Sequence, residues 1–388
     1  MKKVLIYEGM DYHGECLSSY YSYFTELGYD VTFVICETKT NEHPLWMIDN
    51  AKIYTIKNRA SCNKIKLKEH INEIVSKIPN LFEYDLYFVC TIIQESYEFI
   101  KFLYKNKIGR NKILHQNHRD YNIFLERTHN DISLAQNGFI LGINSKKYFS
   151  QLSPIKNCTG IEHLKLEKDL NTTNILISGL AKIHFKNFEK LVSAVEELNE
   201  EGYNINIDVT GVRQKGDYVL PISKYVNYLG RLDFEDMAKK YCTSNFLLVL
   251  FDENPLTQDS IVEQKMFLEE CRVSGSRNMS IMYKIPLVVQ KPFQISWGLN
   301  DNNSISFTGN DYKKILLDLC NIKKEKYNDI IDSLKEKEQE EFQIGLANLK
   351  NKILALDTNI YKNNLTTIGN NYMNNIQKRR KKRDFIHF

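Results

Sequence analysis

Two short stretches of this sequence carry side chains suited to moving protons. His115–Tyr121 reads HQNHRDY, with His118, Arg119 and Asp120 side by side after an apolar run. Imidazole exchanges protons near neutral pH, and a neighbouring carboxylate orients it or serves as base itself. The first loop, EGMDYHGE, sets His13 between Asp11 and Glu15, a second acid–base cluster. Two further stretches suit an anion. Ser274–Asn278 reads SGSRN. Small residues there let backbone N–H groups approach an oxyanion, a helix starting there adds its positive dipole end, and Arg277 can fork two oxygens. Lys182, His184 and Lys186 follow the strand-like run NILISG, and α/β proteins bind ligands at the carboxyl ends of strands. Each stretch also has a bland explanation: a buried turn histidine, a helix cap, solvated lysines at a helix start.

Other chemistries lack their residues. No G-x-G-x-x-G follows the first apolar run, which disfavours a dinucleotide site. Gly211–Gly216 (GVRQKG) approximates a P-loop, but Asp217 stands where Lys is required. Neither H-E-x-x-H nor G-x-S-x-G occurs. No D-x-D occurs, so the usual carboxylate pair for a metal–diphosphate is missing, and neither a metal nor a cofactor is expected. The eight cysteines form no C-x-x-C, and several lie in apolar runs (Cys36 in VTFVIC, Cys90 in DLYFVC). A free thiol there is a small hydrophobe, and no disulfide framework or zinc site is expected.

The elements that must position these residues are set by length and apolar pattern. With 388 residues, 43% hydrophobic and 26% charged, the chain has apolar material for more than one core. At roughly 150 residues per domain it predicts two or three. Of its 52 Lys and Arg, six lie in Lys378–Arg383, and without them 46 basic residues face 48 acidic ones. The body is near neutral, which argues against a general nucleic-acid surface. The opening run VLIY is too short for a signal peptide, and no later stretch is long enough to span a membrane. A cytoplasmic protein is expected.

Apolar runs at Lys3–Tyr7, Val31–Ile35, Ala51–Ile56, Asp85–Cys90, Lys112–Asn117 and Gly138–Asn144 read as strands. Between the first two, Leu17, Tyr20, Tyr21, Phe24 and Leu27 fall at helical spacing. Further helices are predicted over Leu67–Ile78 and Ser96–Tyr104. Continuous apolar strands alternating with helices describe a parallel sheet covered on both faces. The same grammar restarts near Thr173, with strands at Asn174–Gly179, Asn204–Gly211, Tyr225–Gly230, Phe246–Phe251, Ile285–Gln290 and Ser304–Gly309 and a helix over Phe188–Leu198. From Tyr312 onward the chain reads as mostly helical.

Taken in order, these segments resemble the GT-B nucleotide-sugar glycosyltransferases of the group 1 or family 4-like type, over roughly residues 2–320. KVLIYEGMDYHGECLSSYYSYFTELGYDVTFV resembles the family opening of strand, glycine loop, helix, LGYDV and strand. INSKKYFSQL (Ile143–Leu152) resembles the point where a late strand ends in Ser and enters a helix. CTGIEHLKL (Cys158–Leu166) resembles the N-G-[IV]-[DE] segment before the interdomain linker. ILISGLAKIHFKNFEKLVSAVEEL (Ile175–Leu198) resembles the stretch with Gly, a basic pair and KN. VTGV, YLGRLDFEDMAKKYCTSNFLLVLF and YKIPLVV resemble the successive strands of the nucleotide-binding domain. Two departures stand out. The family's Arg falls at Ala181 or Lys182, and its Glu pair falls near Cys271 and at Asn278 or Met279. The ribose contact and the stereochemical course are therefore left open.

The resemblance implies two Rossmann-like domains facing across a cleft: an acceptor side at 1–160, a linker at 161–172, a donor side at 173–320, C-terminal helices at 321–377 and a basic tail at 378–388. It implies a metal-independent transfer from a nucleoside diphosphate sugar to a cell-envelope glycan. Donor-binding candidates are Gly14, Gly179, Lys182, Lys186 and Gly211, together with Glu253, Ser274, Ser276, Arg277 and Asn278. Base candidates are His118, Asp120 and His13. A 2-epimerase of the same fold and a non-catalytic partner subunit are the alternatives. The tail KRRKKRDFIHF suits an anionic membrane surface, as a lipid-linked acceptor would require.

Overall fold

The structure is a computed structural model. It describes residues 1–10, 13–37, 48, 51–117, 121–140, 149–156, 168, 170–178, 185–211, 220–250 and 275–357, with residues 185–187 and 357 described by their backbone alone.

The first lobe is a seven-stranded sheet built from β1 (Lys2–Glu8), β2 (Tyr29–Cys36), β3 (Lys52–Ile56), β4 (Leu86–Val89), β5 (Ile113–Asn117), β6 (Gly138–Ile140) and β7 (Ser150–Gln151). Every pairing is parallel, in the order β3-β2-β1-β4-β5-β6-β7. Parallel strands need covering on both faces, and β1 shows why its residues are apolar without alternation. Leu5 and Tyr7 pack with Tyr87, Val89, Phe99 and Leu103 on one face. Val4 and Ile6 pack with Tyr20, Phe24, Phe33 and Phe88 on the other. The covering helices include α1 (Leu17–Glu26), α2 (Lys64–Lys77), α3 (Gln94–Lys105), α4 (Tyr121–Arg127) and α5 (Ile132–Ala135).

The second lobe repeats this grammar with β8 (Thr173–Ile177), β9 (Ile205–Thr210), β10 (Val226–Gly230), β11 (Phe246–Leu248), β12 (Leu287–Gln290) and β13 (Ser304–Phe307). Its order is β10-β9-β8-β11-β12-β13, again parallel. One face is closed by α6 (Phe185–Glu200) and α10 (Tyr312–Cys320), through Leu191, Val195 and Leu316. The other is closed by α7 (Phe234–Thr243), α8 (Gly275–Tyr283) and α9 (Lys291–Ser296), through Tyr241, Met279 and Trp297. In each sheet the chain reverses its direction of travel beside the first strand: between β1 and β4 here, between β8 and β11 there. Ligands of open α/β sheets lodge at the carboxyl ends of strands at such switch points.

The last described element, α11 (Lys324–Asp357), is one continuous 34-residue helix, about 50 Å long at 1.5 Å per residue. Its first half belongs to the second lobe: Tyr327 donates to the Asn245 carbonyl at 3.0 Å, and Ile330 and Leu334 pack on Ile281. Its second half belongs to the first lobe through Phe342, Leu349 and Leu356. Those three stand seven residues apart, so a narrow seam suffices. This explains a composition that reads as charged and sparsely apolar. Phe342 stacks on Tyr23 with centroids 4.5 Å apart, and Gly345 lies where a Cβ would come within 2.5 Å of the Tyr23 hydroxyl. Residues 324–357 are therefore a strap across both lobes, not an appendage to the second.

The strand end and helix start expected within Ile143–Leu152 fall on residues 143–148, outside the described residues; at the segment's end Ser150–Gln151 form strand β7, pairing with Phe139–Ile140 of β6. Among the described residues, no helix is long and apolar enough to cross a membrane.

Candidate functional site

A cavity of about 450 Å³ opens at the switch point of the second sheet. Ser178 follows β8 directly, Thr210 ends β9, and Arg231 follows Gly230 at the end of β10. Ser276 and Gly275 bring the first turn of α8 to the same wall, and Tyr241 and Tyr283 form a stacked pair at 4.8 Å. Glu15, from the loop after β1, closes the cavity from the first lobe. Both switch points therefore meet in one cleft.

The two helices that enter the cleft by their N-termini differ in charge. Asp233 caps α7, its side chain accepting from the Asp236 N–H at 2.8 Å, and Glu235 and Asp236 follow in the first turn. The first turn of α8 holds no acid. A helix N-terminus carries about half a positive charge. At α7 acidic side chains offset it, and at α8 they do not. Ser276 Oγ lies 3.3 Å from Ser178 Oγ, so two hydroxyls stand together beside the α8 N–H groups. Burial raises the Tyr241 phenol well above its ordinary value, a hydrogen bond with Ser178 opposes the rise, and Glu15 adds to it. Burial also raises the Tyr283 phenol, with Glu15 among the charges that add to the effect. Glu15 thus acts electrostatically across the cleft.

His13 stands at the first-lobe rim. It takes a left-handed backbone, φ 54°, a conformation few residues other than Gly adopt. Its Nδ1 lies 3.2 Å from Glu15 Oε1, an imidazole held by a carboxylate. Gly14 is buried within the short 3-10 turn between them. The closeness of Gly9 serves packing, because a Cβ there would sit 1.9 Å from the Tyr7 hydroxyl, which is bonded to His70 Nε2 at 2.7 Å.

Of the donor-side expectations, Ser276 reaches the cleft and Gly211 adjoins its Thr210 wall. Gly211 uses a positive φ of 77° to turn, and its N–H donates to the Gly230 carbonyl at 2.7 Å. Arg277 is a correction. Its guanidinium is fully buried and forks two oxygens of Glu341 on α11 rather than a ligand. Nη1 donates to Oε2 at 2.7 Å, Nη2 to Oε1, and Nε to the Trp297 carbonyl at 3.2 Å. Asn278, 3% exposed, belongs to that network through a 3.2 Å bond from Arg277 Nη1. One helix turn explains both: Ser276 faces the cleft, and the next residue points into the strap. Burial works to raise the Glu341 carboxyl, and the charge and hydrogen bonds of Arg277 outweigh it, holding the group below its ordinary value.

His115 is a core residue. Its Nε2 donates to the Leu134 carbonyl at 3.0 Å, its ring stacks on Phe124 at 4.9 Å, and burial drives it down to about 3. His118, Asp120, Gly179, Lys182, Glu253 and Ser274 lie outside the described residues, as does the side chain of Lys186. The structure adds Arg231, Ser178, Thr210, Tyr241 and Tyr283, which sequence reasoning passed over. Arg231 had a signal: it directly follows the glycine that ends an apolar strand.

The fold is the GT-B fold of nucleotide-sugar glycosyltransferases. No family model matches the chain, and no curated protein does so significantly. Among solved structures, a glycosyltransferase from Rickettsia africae is similar at 14% identity and TM-score 0.56, covering 92% of this chain and 99% of that one. Anabaena HepE, solved with UDP and glucose, is similar at 11% identity and TM-score 0.52, covering 92% and 100%. A putative UDP-N-acetylglucosamine 2-epimerase from Listeria monocytogenes is similar at 12% identity and TM-score 0.51, covering 85% and 90%.

Proposed function

We propose that this protein is a glycosyltransferase that moves a sugar from a nucleoside diphosphate donor to a cell-envelope glycan, with no metal in the transfer step. The observation that carries the reading is the cleft in which two switch points meet, one lined by hydroxyls and an acid-free helix N-terminus, the other by an imidazole–carboxylate pair. As the bond to the sugar breaks, negative charge grows on the departing diphosphate, and aligned donors or cations must steady it. The α8 N–H groups, Ser276, Ser178 and Arg231 are suited to that task. Lys182 and Lys186, expected after β8, would add cations on the same side. The Tyr241–Tyr283 pair offers an apolar wall.

On the first lobe, His13 would take the proton of the acceptor hydroxyl, with Glu15 steadying the imidazolium that forms, and the sugar would be inverted. His118 and Asp120 are the other base candidates on this side. If the transfer retains configuration, the leaving phosphate itself receives the proton on the same face. The basic run Lys378–Arg383 would hold the enzyme at an anionic membrane surface, contributing about 1 kcal/mol per residue near the surface, beside a lipid-linked acceptor.

The likeness to an epimerase at comparable TM-score supports a second reading, 2-epimerisation of the same donor class. One experiment separates the two. The protein is incubated in D2O with a panel of UDP-, GDP-, dTDP- and ADP-sugars, with and without a lipid-linked glycan acceptor. Acceptor-dependent release of a nucleoside diphosphate supports transfer. Deuterium at C2 of the donor sugar without acceptor supports epimerisation. No release and no exchange with any donor refutes both.

A further inference from the structure

We infer that His13, Glu15 and Cys16 form a binding site for a thiophilic divalent cation, zinc in chemical class, at the first-lobe rim of the cleft. The inference goes beyond sugar transfer and rests on that reading only for its consequence.

The sequence HGEC folds into a one-turn 3-10 segment in which the Cys16 N–H donates to the His13 carbonyl at 3.0 Å. The closed turn brings residues 13, 15 and 16 to one side of the backbone. The nearest donor atoms of imidazole, carboxylate and thiol all lie within 4.8 Å of one another, and Nδ1 and Oε1 are 3.2 Å apart. Zinc bonds of about 2.0–2.3 Å in a tetrahedron set neighbouring ligand atoms roughly 3.3–3.8 Å apart. The pair is at that spacing already, and the third atom needs a movement of about 1 Å. Nitrogen, oxygen and sulfur donors in this combination select zinc-like ions over magnesium or calcium.

A second observation lies behind the thiol. Tyr20, one helical turn beyond Cys16, is fully buried, and its hydroxyl has no hydrogen-bond partner. It lies against the Cys16 sulfur. A metal-bound thiolate gives that orphan hydroxyl an acceptor, the support from behind that metal ligands ordinarily require. On binding, Cys16 Sγ loses its proton to solvent and joins the metal, together with His13 Nδ1 in the tautomer that carries its proton on Nε2 and an oxygen of the Glu15 carboxylate.

Three protein ligands leave a fourth position. Because Glu15 lines the cleft, that position would take a water from it. Occupancy also removes the His13 nitrogen from proton transfer, so the site would make the enzyme sensitive to free zinc.

Cobalt(II) tests this in the untagged full-length protein. The titration runs in a Cys62→Ser background, because Cys62 is an exposed thiol. The expected result is one bound ion with a thiolate-to-cobalt charge-transfer band in the near ultraviolet, displaced by one equivalent of zinc. Cys16→Ser abolishes the band. His13→Gln and Glu15→Gln, at half-exposed positions that leave the core intact, each weaken binding by about ten-fold or more. A band that survives Cys16→Ser, an affinity that both Gln variants leave within about two-fold, or no binding at stoichiometric metal overturns the inference. The band reports the metal alone, whereas donor turnover reports sugar transfer, so each can fail independently.

Discussion

The two lobes share an architecture and differ in what their switch points present. At the carboxyl end of β1 the first lobe offers titratable groups: His13, Glu15 and the buried Glu8, which accepts from the Thr91 hydroxyl at 2.6 Å. At the carboxyl end of β8 the second lobe offers Ser178, Thr210 and Ser276, with Arg231 at the rim and the α8 N-terminus between. On the proposed function, one edge exchanges protons and the other holds an anion. A parallel sheet fixes where its strands end and leaves the loops there free to carry different chemistry. The lobes therefore divide labour without dividing fold.

The sharpest way to break this division is to remove chemistry from one side and watch the other. His13→Gln should lower turnover by about 10²–10⁴-fold while leaving nucleoside diphosphate affinity within a few-fold, as steady-state kinetics beside calorimetry would reveal. Equal losses in both quantities would mean that the lobes are not divided as described.

The next effect concerns the strap. Arg277→Ala removes the guanidinium fork and leaves Lys337 Nζ, 3.2 Å away, as the charged partner of the buried Glu341 carboxylate; breaking a buried pair costs about 3–5 kcal/mol, read as a lower denaturation midpoint. The double variant Arg277→Met with Glu341→Leu should recover most of that loss, since well-packed apolar pairs commonly replace buried ion pairs at little cost. Recovery of stability with weakened donor binding would tie α8 placement to the strap. Gly345→Ala should cost about 1–3 kcal/mol, because the Tyr23 hydroxyl it would strike is held on the Ser153 carbonyl at 2.9 Å.

The smallest effect is in pH. Glu341 titrates below its ordinary range in the folded protein, so its contribution is present above the ordinary carboxyl value of 4.5 and is lost as pH falls through the depressed one. Lys352, half-buried with Nζ on the Gln136 carbonyl at 2.5 Å, is lowered by desolvation to about 8. Between that value and the ordinary 10.5 the unfolded chain binds more protons, so Lys352 makes stability rise with pH across that window. Denaturation midpoints of Glu341→Gln and Lys352→Met against pH should each lose the corresponding slope.

The repeated strand–helix grammar was legible in the sequence because parallel strands buried on both faces must be apolar throughout, as NILISG and IPLVVQ are. The strap was not, because Phe342, Leu349 and Leu356 are too sparse to announce a buried helix, and the surface they cover belongs to helix α1 and strand β7, far earlier in the chain. Arg277 was misjudged for the same reason. A guanidinium at a helix start suits a phosphate and a distant carboxylate equally, and sequence does not reveal that Glu341 lies behind it. Ser276 does line the cleft, where small residues at a helix mouth suit an anion, although a plain helix cap would read the same way in sequence. Arg231 and the tyrosine pair were missed because their role depends on β10, α7 and α8 converging, a tertiary fact.

The central claim is that the second lobe's edge holds a nucleoside diphosphate. Calorimetric titration of UDP, GDP, dTDP and ADP into the wild-type protein, Arg231→Ala and Ser276→Ala tests it most directly. The account predicts saturable one-site binding of at least one diphosphate, weakened about ten-fold or more by Arg231→Ala, in keeping with the loss of a charge-assisted bond of roughly 1.5–3 kcal/mol, and less by Ser276→Ala. No binding of any of the four, or equal affinity in all three proteins, would contradict it.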